Sequence, residues 1–373
     1  MVMLEPIYKL IYKANAGIAD AKAELASRKS GRVELPLIGL HGETLCLTAL
    51  PELTQQASTL YTLYDKVPRN RKTKDVILLD AYSSATIEGA RTTVAHVRAC
   101  FDQPDSKDAR MVINTVNGSN YAYRHPITGD NIRTLWEIVV QDVCENGDCA
   151  GTLYRDGMVY VGNTRNVIHT PAKPEQIQPM MDSGFAFLRD STLDQLIRSF
   201  VFHFYFVYTH PFCDGNGRVA RIMNASNLYF SGLKKMPWLP LSSAINSNLD
   251  RYYSTLADSE RAYPADASGQ WLDLSPFVSY MLDMFEQCLI SSALAENSLS
   301  ENESTILTKM NKAGRGAELT VKKAANILQR SDSTARRVLN NLVQKGYLEI
   351  LCSGNLYIYK LSPNAHAEEL DIE

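Results

Sequence analysis

Residues 210–221 read HPFCDGNGRVAR, a run that crowds a histidine, an acid, a Gly-Asn-Gly core and two arginines into twelve positions. Upstream, Leu193, Leu196, Ile197, Phe200, Val201, Phe204, Val207 and Tyr208 repeat at i, i+3, i+4, i+7 spacing, which predicts a helix buried on one side and stopped at His210 and Pro211. Downstream, Val219, Ile222, Met223 and Leu228 predict a second helix from near Gly217 to Gly232. The run is therefore a loop between two helices. Its Asp-Gly-Asn-Gly core tolerates positive backbone dihedrals, so successive amides can point into one concavity. Such amides at a helix start attract anions. Arg218 and Arg221, three residues apart, can add two guanidinium forks on one face. Asp214 is the loop's carboxylate and suits Mg2+ beside phosphate oxygens. His210, with an ordinary pKa of about 6.5, can take a proton from an attacking hydroxyl. An isolated Asp-Gly-Asn-Gly would be no more than a turn, but the conjunction favours a polyphosphate site.

Working outward, helical patterns dominate. Residues 8–28 and 50–66 read as amphipathic helices, with loop or strand between Gly31 and Thr48. A third helix is predicted from Lys74 to about Glu88, closed by Gly89. A polar, glycine-containing stretch at 114–130 separates this part from helices at about 129–144 and 174–189. Met158–Val161 and Val167–His169 alternate like two short strands around a turn at 162–166. Further helices are expected at about 246–258 and 271–295. A linker at 298–304 leads to helices near 303–312, 320–328 and 332–345 and two strands, Tyr347–Cys352 and Leu356–Leu361. Three helices and a hairpin in that order resemble a winged helix. The reading is a mostly α chain in three parts: an N-terminal helical region at 1–114, a core at 115–297, and a linker with the C-terminal unit at 298–373.

Composition narrows the classes. The chain has 373 residues, 45% hydrophobic and 21% charged, with a net charge of −3, which excludes a fibrous, disordered or disulfide-stapled class. Its seven scattered cysteines point to a reducing compartment, and Cys144 and Cys149 lack the partners of a tetrahedral zinc site. The beginning of the chain lacks the pattern of a signal peptide and no stretch nears eighteen apolar residues, so a cytoplasmic protein without membrane attachment is expected.

At every specified position, HPFCDGNGRVAR resembles the Fic motif, HxFx[DE]GNGRxxR. The resemblance extends over about residues 70–260 and implies protein adenylyltransfer: AMP from ATP onto a Ser, Thr or Tyr hydroxyl, on a target protein or on the chain itself. It implies a Fic-type helical core with a small β-hairpin flap at 158–169 that aligns a target segment. In that family His210 would be the base, Phe212 an anchor and Asp214 the Mg2+ ligand. Gly215, Asn216 and Gly217 would cradle the inner phosphates, and Arg218 and Arg221 would hold the outer ones. Asn246 or Asn248, with Tyr252 or Tyr253, would meet the adenosine; equally, these residues read as a helix cap followed by core aromatics. SATIEG, from Ser84 to Gly89, resembles the family's inhibitory motif [ST]xxxE[GN], implying a Glu88 to Arg221 ion pair that blocks the γ-phosphate site. Some relatives use this glutamate in removing AMP, and others, with altered motifs, transfer other phosphate-containing groups. A homodimer is compatible with all of this.

The tail lies outside the resemblance. Within 314–346, seven basic residues oppose Glu318 and Asp332, and Ser331, Ser333, Thr334, Arg336 and Arg337 open the last helix. These residue types meet phosphates and base edges, so the tail reads either as a DNA-binding module, in a regulator with a nucleotide-sensing core, or as a protein-interaction module.

Overall fold

The computed structural model describes residues 4–67, 73–144, 152–163, 166–263, 269–297, 300–313, 317–344, 347–353 and 356–362. The chain divides into two compact units, Met1–Ser292 and Ala293–Glu373.

The first unit opens with α1 (Ile7–Asn15) and α2 (Ala19–Ser30). The single helix expected over 8–28 is thus broken, at Gly17, whose φ of 90° no right-handed helix accommodates. β1 (Val33–Ile38) and β2 (Thr44–Leu47) follow, answering the choice left open there in favour of strands. Then come α3 (Leu50–Lys66), α4 (Thr73–Ile87), α5 (Val94–Ala99) and α6 (Lys107–Ala122). The first half of the polar stretch at 114–130 is therefore not a separator. Asn114, Thr115, Gly118 and Ser119 are buried on α6, where Thr115 and Ser119 hydroxyls donate to carbonyls one turn back. A boundary between 114 and 115 would cut that helix.

α7 (Ile132–Val140) precedes a short hairpin of β3 (Val161–Asn163) and β4 (Asn166–His169), antiparallel with Val161 opposite His169. Met158–Tyr160 lie outside the strand predicted for them. After α8 (Pro174–Asp190), α9 (Gln195–Thr209) runs through the centre of the unit. It was expected to bury one side, yet Leu196, Ile197, Phe200, Val201, Phe202, Phe204, Tyr205 and Phe206 are all inside, so every face is covered. α10 (Asn216–Phe230) packs against α9, followed by a short 3-10 turn at Met236–Trp238. The helix expected at 246–258 is two, α11 (Leu241–Ser247) and α12 (Leu249–Ser259), meeting at Asn248. Residues 271–273 form β5 (Trp271–Asp273) rather than the start of α13 (Ser275–Asn297). β5 pairs parallel to β2, completing a sheet in the order β1-β2-β5.

The second unit holds α14 (Glu301–Ala313), α15 (Val321–Leu328), α16 (Asp332–Gln344) and the antiparallel pair β6 (Leu348–Ser353) and β7 (Leu356–Leu361). The element order is the expected one, although residues 301–304 of the expected linker belong to α14, while 298–299 lie outside the described residues. Ser300 caps α14, its hydroxyl facing the Glu303 amide while the Glu303 carboxylate reaches back to the Ser300 amide.

A buried charge pair fastens the small sheet to the N-terminal helices. Arg28 of α2 donates from Nη2 to Asp273 Oδ2 at 2.7 Å and from Nε to Thr48 Oγ1 at 3.0 Å. Thr48 completes the triangle by donating to the same carboxylate oxygen at 2.8 Å. Both charges are nearly sealed from water, so Asp273→Ala takes the buried counter-ion from Arg28 and leaves it a more distant carboxylate, Glu24 at 3.7 Å. The expected loss of stability in a urea titration is about 3–5 kcal/mol. A loss below about 1 kcal/mol would show that the pair does not secure this corner.

Candidate functional site

His210 ends α9 in the left-handed conformation, φ 53° and ψ 62°, unusual for a non-glycine residue. Three contacts hold the chain in this reversal. The Asn216 side chain closes on the Phe212 backbone from both sides, with Oδ1 accepting from the amide at 2.9 Å and Nδ2 donating to the carbonyl at 2.7 Å. Arg155 donates from Nε to the His210 carbonyl at 2.8 Å, and its own amide donates to the Pro211 carbonyl at 3.0 Å. Phe212 is fully buried and stacks on Trp136 at 5.1 Å, while Trp136 Nε1 donates to the Asp214 carbonyl at 2.9 Å. The Asn216 side chain thus holds the loop itself; only its amide can face an anion.

The His210 ring is partly buried. Its Nδ1 lies 3.3 Å from the Val207 carbonyl, which can only accept, so Nδ1 carries the proton of that bond and Nε2 keeps its lone pair. Burial lowers the imidazole pKa to about 4, outweighing the opposing pulls of the Val207 carbonyl and the Glu88 carboxylate. The ring is neutral at physiological pH. Asp214 is half-exposed. Its Oδ1 accepts from the Gly215 amide at 2.5 Å and faces Arg218 Nη2 at 3.4 Å, and Oδ2 has no hydrogen bond among the described residues. One bound oxygen for orientation and one open oxygen are what a carboxylate ligand of Mg2+ requires.

The two arginines turn to different elements rather than presenting two forks on one face. Arg218, 1% exposed, donates from Nη1 to the Val139 carbonyl of α7 at 3.1 Å. Arg221 reaches α4: Nε donates to Ser84 Oγ at 2.8 Å, and Nη2 to the Ser84 carbonyl at 2.9 Å and to Glu88 Oε1 at 2.7 Å. The ion pair expected from SATIEG is present. Arg218 Nε and Arg221 Nη1 are buried without a partner among the described residues. Gly217 is where the carboxylate comes closest to the loop: a Cβ there would stand 2.1 Å from Glu88 Oε1 and 3.2 Å from Arg221 Nη1. Glu88 Oε1 thus lies against both the Arg221 guanidinium and the Gly217 backbone.

Helix α4 is pinned along its length. Asp80 accepts from the Ser242 amide at 2.6 Å, and Trp238 Nε1 donates to Thr73 Oγ1 at 2.8 Å. Gly89, at φ 93°, then turns the chain away. Of the residues assigned to adenosine, Asn248 donates from Nδ2 to the Ala244 carbonyl and to Gln287 Oε1, so its side chain ties α11 to α13. Asn246 is half-buried. Tyr252 is buried with its hydroxyl on His203 Nε2 at 3.0 Å, and Tyr253 is half-exposed with its hydroxyl 3.4 Å from the Ile87 carbonyl. Cys144 is described but Cys149 lies outside the described residues.

Arg155, Trp136 and His169 escaped the sequence reading. His169, at the end of β4, places Nε2 on the Tyr208 carbonyl and Nδ1 on Glu260 Oε2, both at 2.8 Å, which ties the hairpin to the end of α9. None of the three belongs to a spaced pattern. Trp136 reads as one more apolar position of a helix, and Arg155 and His169 reach partners distant in sequence.

Comparison with known proteins places this site in context. The profile of the Fic/DOC family matches residues 126–228. The chain is 24% identical over 274 residues to the protein adenylyltransferase Fic of Drosophila erecta, covering 70% of this chain and 50% of that protein. The Drosophila melanogaster protein of the same name gives 24% over 274 residues, 70% and 51%. The chain spans about half the length of the curated relatives it matches. Among solved structures, a Fic family protein from Desulfovibrio desulfuricans G20 superposes with a TM-score of 0.55 at 20% identity, covering 84% of this chain and 96% of that one. Residues 134–508 of Fic-1 from C. elegans give 0.51 at 19%, covering 67% and 74%. These two likenesses carry the fold. Among the described residues, no helix is long and apolar enough to cross a membrane.

The buried titratable groups around Arg221 make stability depend on pH. Burial, then the Arg221 charge, lowers His203 to about 3, and burial lowers His210 to about 4; burial raises Asp80 to about 6 against its bonds from Ser242. Unfolding between pH 6 and 4 therefore takes up two protons at the histidines and releases one at Asp80. Stability should fall by about 1.4 kcal/mol per pH unit on acidification through that window. Urea midpoints at several pH values check this, and His203→Gln should flatten the decline. A slope unchanged by that substitution would contradict the assignment.

Proposed function

Taking a chain that carries a Fic domain as the starting point, we propose that it transfers AMP from ATP to a protein hydroxyl, and that Glu88 restrains the transfer. One observation carries this reading: a buried arginine with an unpartnered nitrogen, Arg221, beside the Gly217 backbone, where a carboxylate sits in the manner of a phosphate. The names of the matched relatives agree with it.

The residues supply each part of an in-line displacement. His210, neutral and with Nε2 free to accept, takes the proton of the acceptor hydroxyl as its oxygen bonds to the α-phosphorus, and the bond to the departing pyrophosphate breaks. The loop that starts α10 offers the amides of Asn216 and Gly217 to the phosphates, and Gly217 leaves room for close approach. Arg218 and Arg221 neutralise charge gathering on the leaving group from a water-poor setting, where such contacts are strongest. Mg2+, which the open oxygen of Asp214 fits, would supply further charge neutralisation across the phosphates. Positioning and electrostatics carry the catalysis, so a rigid loop matters as much as the base.

Restraint follows from the same charges. Arg221 cannot serve Glu88 and an outer phosphate at full strength together, and α4 holds Glu88 in place through Ser84 and Asp80. Nucleotide entering beside Glu88 meets a carboxylate of its own sign.

Removing Glu88 should raise transfer. We expect Glu88→Gly to incorporate labelled AMP into protein at least about tenfold faster than the unaltered chain, about 1.4 kcal/mol of released restraint. Incorporation no higher than that of the unaltered chain would reject the restraint. His210→Ala should abolish incorporation while ATP binding, followed by calorimetry in the Glu88→Gly background, persists within a fewfold. Retained transfer would remove His210 from the role of base.

A further inference from the structure

The unit Ala293–Glu373 presents a charged face of its own. It has its own core, with Ile306, Leu307 and Met310 of α14 packed on Ala324, Leu339 and Leu342. α15 and α16 are joined by only Gln329, Arg330 and Ser331, with Gln329 left-handed at φ 52°. Such a tight joint between packed helices is the helix-turn-helix plan. α16 turns Ala335, Val338, Leu339 and Leu342 inward. Its outward face carries Ser333, Arg336, Arg337, Asn340 and Asn341.

Charge identifies the occupant. Lys322 and Lys323 on α15, Arg330 in the joint, and Arg336 and Arg337 on α16 are all exposed, and none makes an ion pair among the described residues. Of the two acids in this stretch, Glu318 is already paired with Lys360 at 2.8 Å, leaving Asp332 at the start of α16. Five exposed cations on α15, α16 and the joint between them suit a polyanion. The alternation of arginine with serine and asparagine along that face suits phosphate oxygens and base edges together.

We propose that this unit binds double-stranded DNA, with the exposed face of α16 in a major groove and Lys322, Lys323 and Arg330 on the flanking phosphates. A helix of this width matches a B-form major groove. A protein partner would instead use the exposed apolar side chains of the β6–β7 hairpin, Ile350 and Tyr357 on one face and Leu351 on the other. The two occupants make different demands on the residues.

Fluorescence polarisation of a labelled mixed-sequence duplex with the full chain, without nucleotide, separates them. With four phosphate contacts, raising salt from about 50 to about 200 mM should weaken binding about a hundredfold. Arg336→Glu with Arg337→Glu should remove binding, whereas Leu351→Ser with Tyr357→Ser should leave it within about twofold. Lys322→Ala with Lys323→Ala, both exposed, should lower the salt slope by about two. A thermal melt of each variant checks its folding. No binding at the lower salt, or binding that survives both sets of charge changes, overturns the proposal. Binding lost only in the Leu351, Tyr357 variant overturns it in favour of an apolar docking face. Because no nucleotide is present, AMP transfer stands or falls separately.

Discussion

The Asn216 side chain closes on the backbone of Phe212, and the first unit's candidate site depends on that small ring of two hydrogen bonds. It converts a reversal of chain direction into a rigid object. One side of the reversal presents the His210 imidazole, the other presents the amides that begin α10. A loop free to sample other shapes would separate acceptor and anion by ångströms. The Phe212 ring, sealed against Trp136, makes any such excursion costly, because it would bring a large apolar surface into water. Arg155 adds a third fixing point from a segment with no regular structure of its own.

Ionic competition is written into the same geometry. Arg221 is buried and cannot remain without a counter-ion at acceptable cost, so some acceptor must always face it. Glu88 and Ser84 fill that need from one helix face, since residues four apart align on consecutive turns.

Much of this was legible in residue order because its cause is local. The positions of α9, α10 and α4 and the three-helix and hairpin order of the tail come from spacing within a few turns, whereas the ion pair between Glu88 and Arg221, 133 residues apart, is implied only by the resemblance of SATIEG to a known motif. The losses have physical reasons too. The apolar stripe of α9 marks one buried side, but Phe202, Tyr205 and Phe206 fill the remaining faces once neighbours surround the helix. Residues 271–273 looked like a helix start because their partner, β2, lies far away in sequence. Arg155 and His169 act through bonds to partners far away in sequence, which leave no periodic trace. Arg218 and Arg221 share a helical turn, yet their long side chains reach opposite neighbours, and spacing alone does not report direction.

The parallel pairing of β2 with β5 constrains how a nascent chain can mature. Thr44–Cys46 must wait for Trp271–Asp273, more than two hundred residues later, before their ladder can close. During synthesis at about 5–20 residues per second, those edges and the Arg28 guanidinium stay unsatisfied for tens of seconds. The helices between, 50 to 260, can condense around α9 meanwhile. The sheet can thus close only after residue 273 has emerged from the ribosome, and a shorter nascent polypeptide exposes a strand edge that cellular quality control could recognise.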